Sequence, residues 1–321
     1  MADDRASDGG AFGATSTTDE VLAGVDLGGR TAVVTGGSGG LGLETARALA
    51  AHGARVVVAA RDRAKSDAAV ATIREAAPGA EVDSVLLDLG SLDAVRRAVA
   101  ELTDRLDAVD LLVDNAGVMA CPLGRTADGF EVQFGTNHLG HFALTTGLHG
   151  LLVAGAPSRV VVLSSAGHRY SDIRWDDPNF EREAEYFNWT AYGQAKTANA
   201  LFARELDRRW SPEGVHAFSV HPGVILTDLG RHMTDVDFEF MAANRPGDIP
   251  WKTVEQGAAT TVWAATAPEL DAHGGAYLED CHVAVPNDDD GSLDGVRAWA
   301  RDDDGAARLW DLSVELVGST G

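Results

Sequence analysis

The stretch Val33 to Thr45, VVTGGSGGLGLET, places five glycines within the seven residues Gly36 to Gly42. Two phosphate-binding registers fit it. Gly37, Gly39 and Gly42 satisfy G-x-G-x-x-G, whereas Thr35, Gly36, Gly40 and Gly42 satisfy T-G-x-x-x-G-x-G. The run stands between the apolar segment TAVVT and a helical pattern opening at Leu41, the setting that either register requires. Backbone amides at a helix N-terminus, uncovered by side chains, can face a pyrophosphate. No Gly-Lys-Ser/Thr follows, which excludes a Walker A loop. Glycine turns between strand and helix are common, so the register must be decided by the rest of the chain.

Outward from this turn, short β-branched runs alternate with segments of helical period. RVVVAA (55 to 60), VDSVLL (82 to 87), DLLVDNA (110 to 116), RVVVLSS (159 to 165), VHAFSV (215 to 220) and GAYL (275 to 278) join TAVVT as strands. Seven strands separated by helices predict a single α/β domain, a doubly wound, seven-stranded parallel sheet of Rossmann type. Residues 1 to 27, acidic and aperiodic, read as a loose extension before a domain over 28–321. Two stretches break the rhythm, at about 167–188 and 224–252. Both follow strands, where ligands bind in such sheets, and both are expected to cover a substrate pocket.

Composition narrows the function. A net charge of -23, from 33 Asp and 16 Glu against 23 Arg and only three Lys, would repel nucleic acid and anionic membranes. Such a surface suits a high-salt cytoplasm, where charges are screened over about 3 Å at about 1 M salt; a GC-rich genome is the alternative. No apolar run reaches a membrane span, and the acidic start MADDRASDGG is unlike a signal peptide, so a cytoplasmic protein is expected. Cys121 and Cys281 are too few for a disulfide framework and read as core residues. His138 and His141 lack a third ligand for zinc, and the two DDDG runs lack the acids of a calcium loop, so no metal site is expected.

The chemistry is carried by strand ends. After VVVAA stands Arg61 rather than the carboxylate that a NAD site places on the ribose 2′-hydroxyl. Its guanidinium suits a 2′-phosphate and favours NADP(H), although Asp62 keeps NAD(H) open. In TAYGQAKTANALF, Tyr192 and Lys196 share one helical face. A tyrosine acting near neutrality needs its pKa lowered by about two to three units, and a cation at about 4 Å is worth about 4 kcal/mol at an effective dielectric of about 20. Ser165, at the end of RVVVLSS, can hold a substrate carbonyl near that tyrosine. DNAG ends another strand, with Asn115 placed to stitch strands together and Gly117 leaving room for a cofactor.

These residues resemble the short-chain dehydrogenases/reductases, whose motifs stand here in family order as TGGSGGLG, DNAG, SS, YGQAK and HPG, over roughly Gly28 to Val317. AARD, NHLGHF and SSAGH further resemble the branch with retinol dehydrogenases, protochlorophyllide reductases and bacterial ketoreductases, which mostly use NADP(H). The resemblance implies Tyr192 as general acid/base, Lys196 as its partner and a ribose ligand, Ser165 as carbonyl positioner, and Asn137 as support for a water relay. For the cofactor it implies the turn Gly36, Ser38, Gly40, Leu41 and Gly42; Arg61 at the 2′-phosphate; Asp88 and Leu89 beside the adenine; Asn115, Ala116 and Gly117; and Pro222, Gly223 and Thr227 near the nicotinamide. Asp114 departs from the usual N-N-A-G. The expectation is an NADP(H)-dependent oxidoreductase acting on a small carbonyl or alcohol; a carbon-carbon double-bond reductase and a non-catalytic NADP(H)-binding regulator are the alternatives. The family is commonly dimeric or tetrameric, so the resemblance admits a homo-oligomer.

Overall fold

The computed structural model describes residues 11–244, 251–289 and 291–318; 1–10 of the acidic extension and 245–250 of the second insertion lie outside them. The chain begins with helix α1 (Thr18–Val21), closed at its start by a capping box between Thr17 and Glu20. Thr18, Val21 and Leu22 are buried, and the Thr18 hydroxyl donates to Glu44 on α2. The segment read as loose is therefore packed from residue 18 onward. Its apolar residues Val21 and Leu22 pack into the core, while Asp19 pairs with Arg47 and Glu20 completes the capping box.

The alternating units then follow: β1 (Thr31–Thr35), α2 (Gly40–Ala51), β2 (Arg55–Ala60), α3 (Arg63–Ala76), β3 (Val82–Leu86), α4 (Leu92–Arg105) and β4 (Leu111–Asp114). A connected helical stretch comes next: α5 (Val132–Phe134), a π-helical turn over Gly135–Leu139, α6 (Gly140–Gly147) and α7 (His149–Ala154). Then come β5 (Ser158–Leu163), α8 (Asn188–Trp210), β6 (Val215–His221), α9 (Asp235–Ala243), α10 (Val254–Thr266), β7 (Tyr277–Glu279), β8 (His282–Val283) and α11 (Asp303–Val317).

The strands form one sheet in the order β3-β2-β1-β4-β5-β6-β7-β8, parallel from β1 to β7. Register explains the two-sided core. Val33, Val57, Leu112 and Val160 pair across four strands and join one hydrophobic cluster; Val34, Val58, Val113 and Val161 join the other, beneath the opposite face. The period-two alternation of strand side chains sends each set to its own layer of helices. The expected seven strands become eight. Asp280 and Cys281, both at positive φ (48° and 56°), turn the chain back so that β8 pairs antiparallel with β7. That two-residue turn carries no glycine, which is why the sequence did not signal it.

Candidate active site

The strand order reverses between β1 and β4, and the cleft lies there, beyond the carboxyl ends of the strands. It holds a cavity of about 860 Å³. Gly36, Ser38, Gly40, Leu41, Gly42, Arg61, Asp88, Leu89, Asn115, Ala116, Gly117, Ser165, Tyr192, Lys196, Pro222, Gly223 and Thr227 all line it. Among the residues the sequence singled out for the site, only Asn137 does not.

The glycine turn resolves its own ambiguity. Gly36 and Gly40 take positive φ, 65° and 52°. A Cβ on Gly42 would lie 2.4 Å from Asn115 Nδ2 and 2.5 Å from the Gly36 carbonyl oxygen, whereas one on Gly39 would meet nothing within 4 Å. The backbone therefore needs the glycines of T-G-x-x-x-G-x-G, and Gly39 is a spectator. Thr35 ties the turn to β4: its hydroxyl oxygen accepts from the Asn115 and Ala116 amides at 2.9 Å each, and Asn115 Nδ2 donates to the Thr35 carbonyl at 2.8 Å. Thr227, from the loop after β6, sits against Gly40 across the cleft. A pyrophosphate fits this bare turn because no side chain covers the opening of α2.

At the end of β2, Arg61 is exposed and faces the cavity. Asp62, the residue that kept a ribose hydroxyl contact open, lines the cavity too and caps α3: its Oδ1 accepts the Lys65 amide at 3.1 Å. Among the described residues no carboxylate forms an ion pair with Arg61. The residues present fit a nicotinamide dinucleotide.

Tyr192 and Lys196 project from α8, one turn apart, and both are buried. Ser165 begins the turn after β5; its Oγ accepts the Gly167 amide at 3.0 Å, and the side chain lines the cavity beside Tyr192. A Cβ on Gly167 would lie 2.6 Å from the Tyr192 ring, so this glycine allows serine and tyrosine to meet. Burial pushes the Tyr192 phenol up to about 12 against the lowering effect of Ser165. Burial also pulls Lys196 down to about 7. Lys196 Nζ donates to the Leu163 carbonyl at 2.7 Å and lies 5.8 Å from the Tyr192 ring centre. Tyr192 is thus held as the neutral acid.

Asn137 stands behind the cavity wall, in the π-helical turn. Its amide group braces Val118 through bonds of 2.8 and 2.9 Å, and its carbonyl accepts from His141 Nδ1 at 2.9 Å. His141 Nε2 in turn takes the Thr35 hydroxyl at 2.9 Å. His168 braces the other wall: Nδ1 donates to the Ser165 carbonyl at 2.8 Å, and Nε2 accepts the Arg297 amide at 3.1 Å. Burial holds both imidazoles down, at about 4, and hence neutral. In the sequence Thr35 stands in the T-G-x-x-x-G-x-G register, and His141, Gly167 and His168 stand in NHLGHF and SSAGH, but none is singled out for the site, because the partners they brace are distant in sequence.

Beyond Tyr192 the cavity turns apolar. Met119, Tyr170, Trp189, Met233, Phe238 and Met241 line it. The two insertions supply most of these side chains, as their position after strands implied. Cys121 and Cys281 are buried, and no metal-ligating cluster occurs among the described residues. No helix among them is long and apolar enough to cross a membrane.

Comparison with known proteins gives a consistent picture. The short chain dehydrogenase profile matches residues 30–176. The short-chain dehydrogenase/reductase prx1 of Penicillium rubens is 42% identical over 290 residues, covering 89% of this chain and 84% of that protein. Human retinol dehydrogenase 14 is 38% identical over 306 residues, with 90% and 87% covered. A crystal structure of an uncharacterised Mycobacterium paratuberculosis protein superposes with a TM-score of 0.71 at 35% identity, covering 94% of this chain and 97% of the other. The Pseudomonas aeruginosa RhlG/NADP active-site complex gives 0.63 at 27% identity, with 79% and 95% covered.

Proposed function

Because the chain belongs to the short-chain dehydrogenase/reductase family, we propose that it is an NADP(H)-dependent oxidoreductase that interconverts an apolar carbonyl compound and its alcohol. The observation that carries this reading is the meeting of Ser165 and Tyr192 at the junction of the glycine-lined and apolar halves of one cavity. Gly36, Ser38, Gly40, Leu41 and Gly42 would hold the pyrophosphate; Arg61 the 2′-phosphate; Asp88 and Leu89 the adenine side; Asn115, Ala116, Gly117, Pro222, Gly223 and Thr227 the nicotinamide half. When bound, the nicotinamide supplies or accepts the hydride.

The protein's own residues manage orientation and the proton. Ser165 holds the substrate oxygen beside the Tyr192 hydroxyl. Tyr192, neutral through burial, donates its proton to that oxygen as carbonyl becomes alcohol and takes it back in the reverse direction. Lys196 is the proposed ribose ligand. Asn137 acts from behind the wall, by fixing the Gly117 to Val118 backbone. A Cβ on Gly117 would lie 3.1 Å from Asn137 Oδ1 and 4.0 Å from Lys196 Nζ, so this glycine permits their approach. The -23 charge supports a further proposal, that the protein works in a high-salt cytoplasm.

Tyr192→Phe tests the reaction. Carbonyl turnover should fall by about 10²- to 10⁴-fold, the usual worth of a positioned acid, with NADPH affinity changed by less than about threefold. Turnover equal to wild type would remove Tyr192 from the chemistry.

A further inference from the structure

Helix α9, Asp235 to Ala243, is built inside out. Its one buried residue is an aspartate: Asp237 is 6% exposed, while its neighbours Val236 and Phe238 are 71% and 52% exposed. An amphipathic helix on a protein surface buries its apolar side chains, so here the carboxylate needs a different explanation. Its partners supply one. Oδ1 accepts from Asn188 Nδ2 at 2.7 Å and from Trp189 Nε1 at 3.0 Å; Oδ2 accepts from the Thr234 amide at 2.8 Å and its hydroxyl at 2.7 Å. Burial alone would raise this carboxyl, but these bonds hold it below the usual carboxylate range.

Asn188 and Trp189 open α8, the helix that carries Tyr192 one turn on. Trp189 meets the Tyr192 ring edge-on, with centres 6.1 Å apart at 89°. On its other side it stacks with Phe240 of α9, 5.4 Å away at 22°. The far end of α9 is tied to the serine side of the site: the Arg169 guanidinium donates to the Asn244 carbonyl and, at 3.2 Å, to that of Ser292. A buried, fully bonded carboxylate thus fastens the helix covering the apolar half of the cavity to the segment that presents the catalytic tyrosine.

We propose that Asp237 is a positioning residue: it latches α9 onto the first turn of α8, so that the cover over the substrate and the seat of Trp189 against Tyr192 are set together, selecting bulky apolar substrates. This inference rests on the proposed oxidoreductase reading for its substrate consequence. Removing one charge-accepting partner leaves buried donors unpaired, so the latch should fail without a change of shape.

The test is Asp237→Asn in the full-length protein, by amide hydrogen exchange and by NADPH-linked reduction of a short aliphatic aldehyde and a bulky aromatic ketone. Exchange across α9 is expected to rise at least about tenfold with the α8 core unchanged, as for local opening. KM for the bulky ketone should rise about tenfold with kcat reduced less than about threefold, and the short aldehyde should be far less affected. Trp189→Phe, which keeps an aromatic ring, though a smaller one, and removes the donor, should add less in the double variant than alone. Unchanged exchange in α9, exchange that also rises through α8, or equal losses on both substrates would overturn the latch. If the wild type reduces neither substrate, the oxidoreductase reading fails, and exchange still decides whether Asp237 holds α9.

Discussion

At the scale of single residues, cofactor choice turns on Arg61. The sequence placed it at the end of β2, and the structure adds that Arg61 lines the cavity together with Lys65 and with Asp62, which also caps α3. A guanidinium and a phosphate form charge-assisted bonds that a ribose hydroxyl cannot match. Arg61→Ala should therefore weaken NADPH by about 2 to 3 kcal/mol, roughly 30- to 150-fold, with NADH changed much less. Titration of both cofactors checks this, and equal weakening would remove the 2′-phosphate assignment. Tyr192, Lys196 and Ser165 were legible because spacing and strand ends expose them. Asp237 and His168 were not: an aspartate in an acidic chain carries no signal until its donors, Asn188 and Trp189, are seen around it.

At the scale of elements, the junction of β4 and α6 shows what a departure from the family pattern costs. Asp114 ends β4 fully buried; one oxygen accepts the Thr145 hydroxyl of α6 at 2.7 Å, while the other has no hydrogen-bond partner. Burial pushes its carboxyl up to about 8, against the lowering effect of Thr145. Because the folded-state value is raised, the unfolded chain loses this proton first, near pH 4. Stability contributed by the group is present below that pH and is lost as pH rises toward about 8. Asp114→Asn should remove this slope and stabilise by about 1 to 2 kcal/mol at pH 8 while gaining little at pH 4. Thermal unfolding at both pH values decides it, and an equal effect at both would show that Asp114 is not held neutral. The pairing of β4 itself is regular with β1 and β5.

At the scale of the whole molecule, the chain keeps an apolar two-layer core and carries its excess carboxylates outside it. Self-repulsion among them weakens the compact state at low ionic strength and is screened within about 3 Å at about 1 M salt. Raising KCl from about 0.1 M to about 2 M should increase the melting temperature and the activity together. A protein most stable at low salt would leave codon bias as the better account of its acidity. Within that charged surface, one cavity pairs a glycine turn with methionines and aromatics.

The sequence by itself determined the doubly wound sheet, the order of its strand-end motifs and the identity of the residues meeting at the cleft. These follow from local periodicity and from glycine spacing, which survive in one dimension. The tertiary structure decided the rest. It showed that Gly36, Gly40 and Gly42 are the glycines the turn requires, that Asn137 braces the wall rather than faces the cavity, and that α1 packs. It also showed that Tyr192 is buried, which pushes its phenol up. Desolvation and hydrogen bonding depend on what the folded chain brings within a few ångströms, and that proximity is not written in spacing.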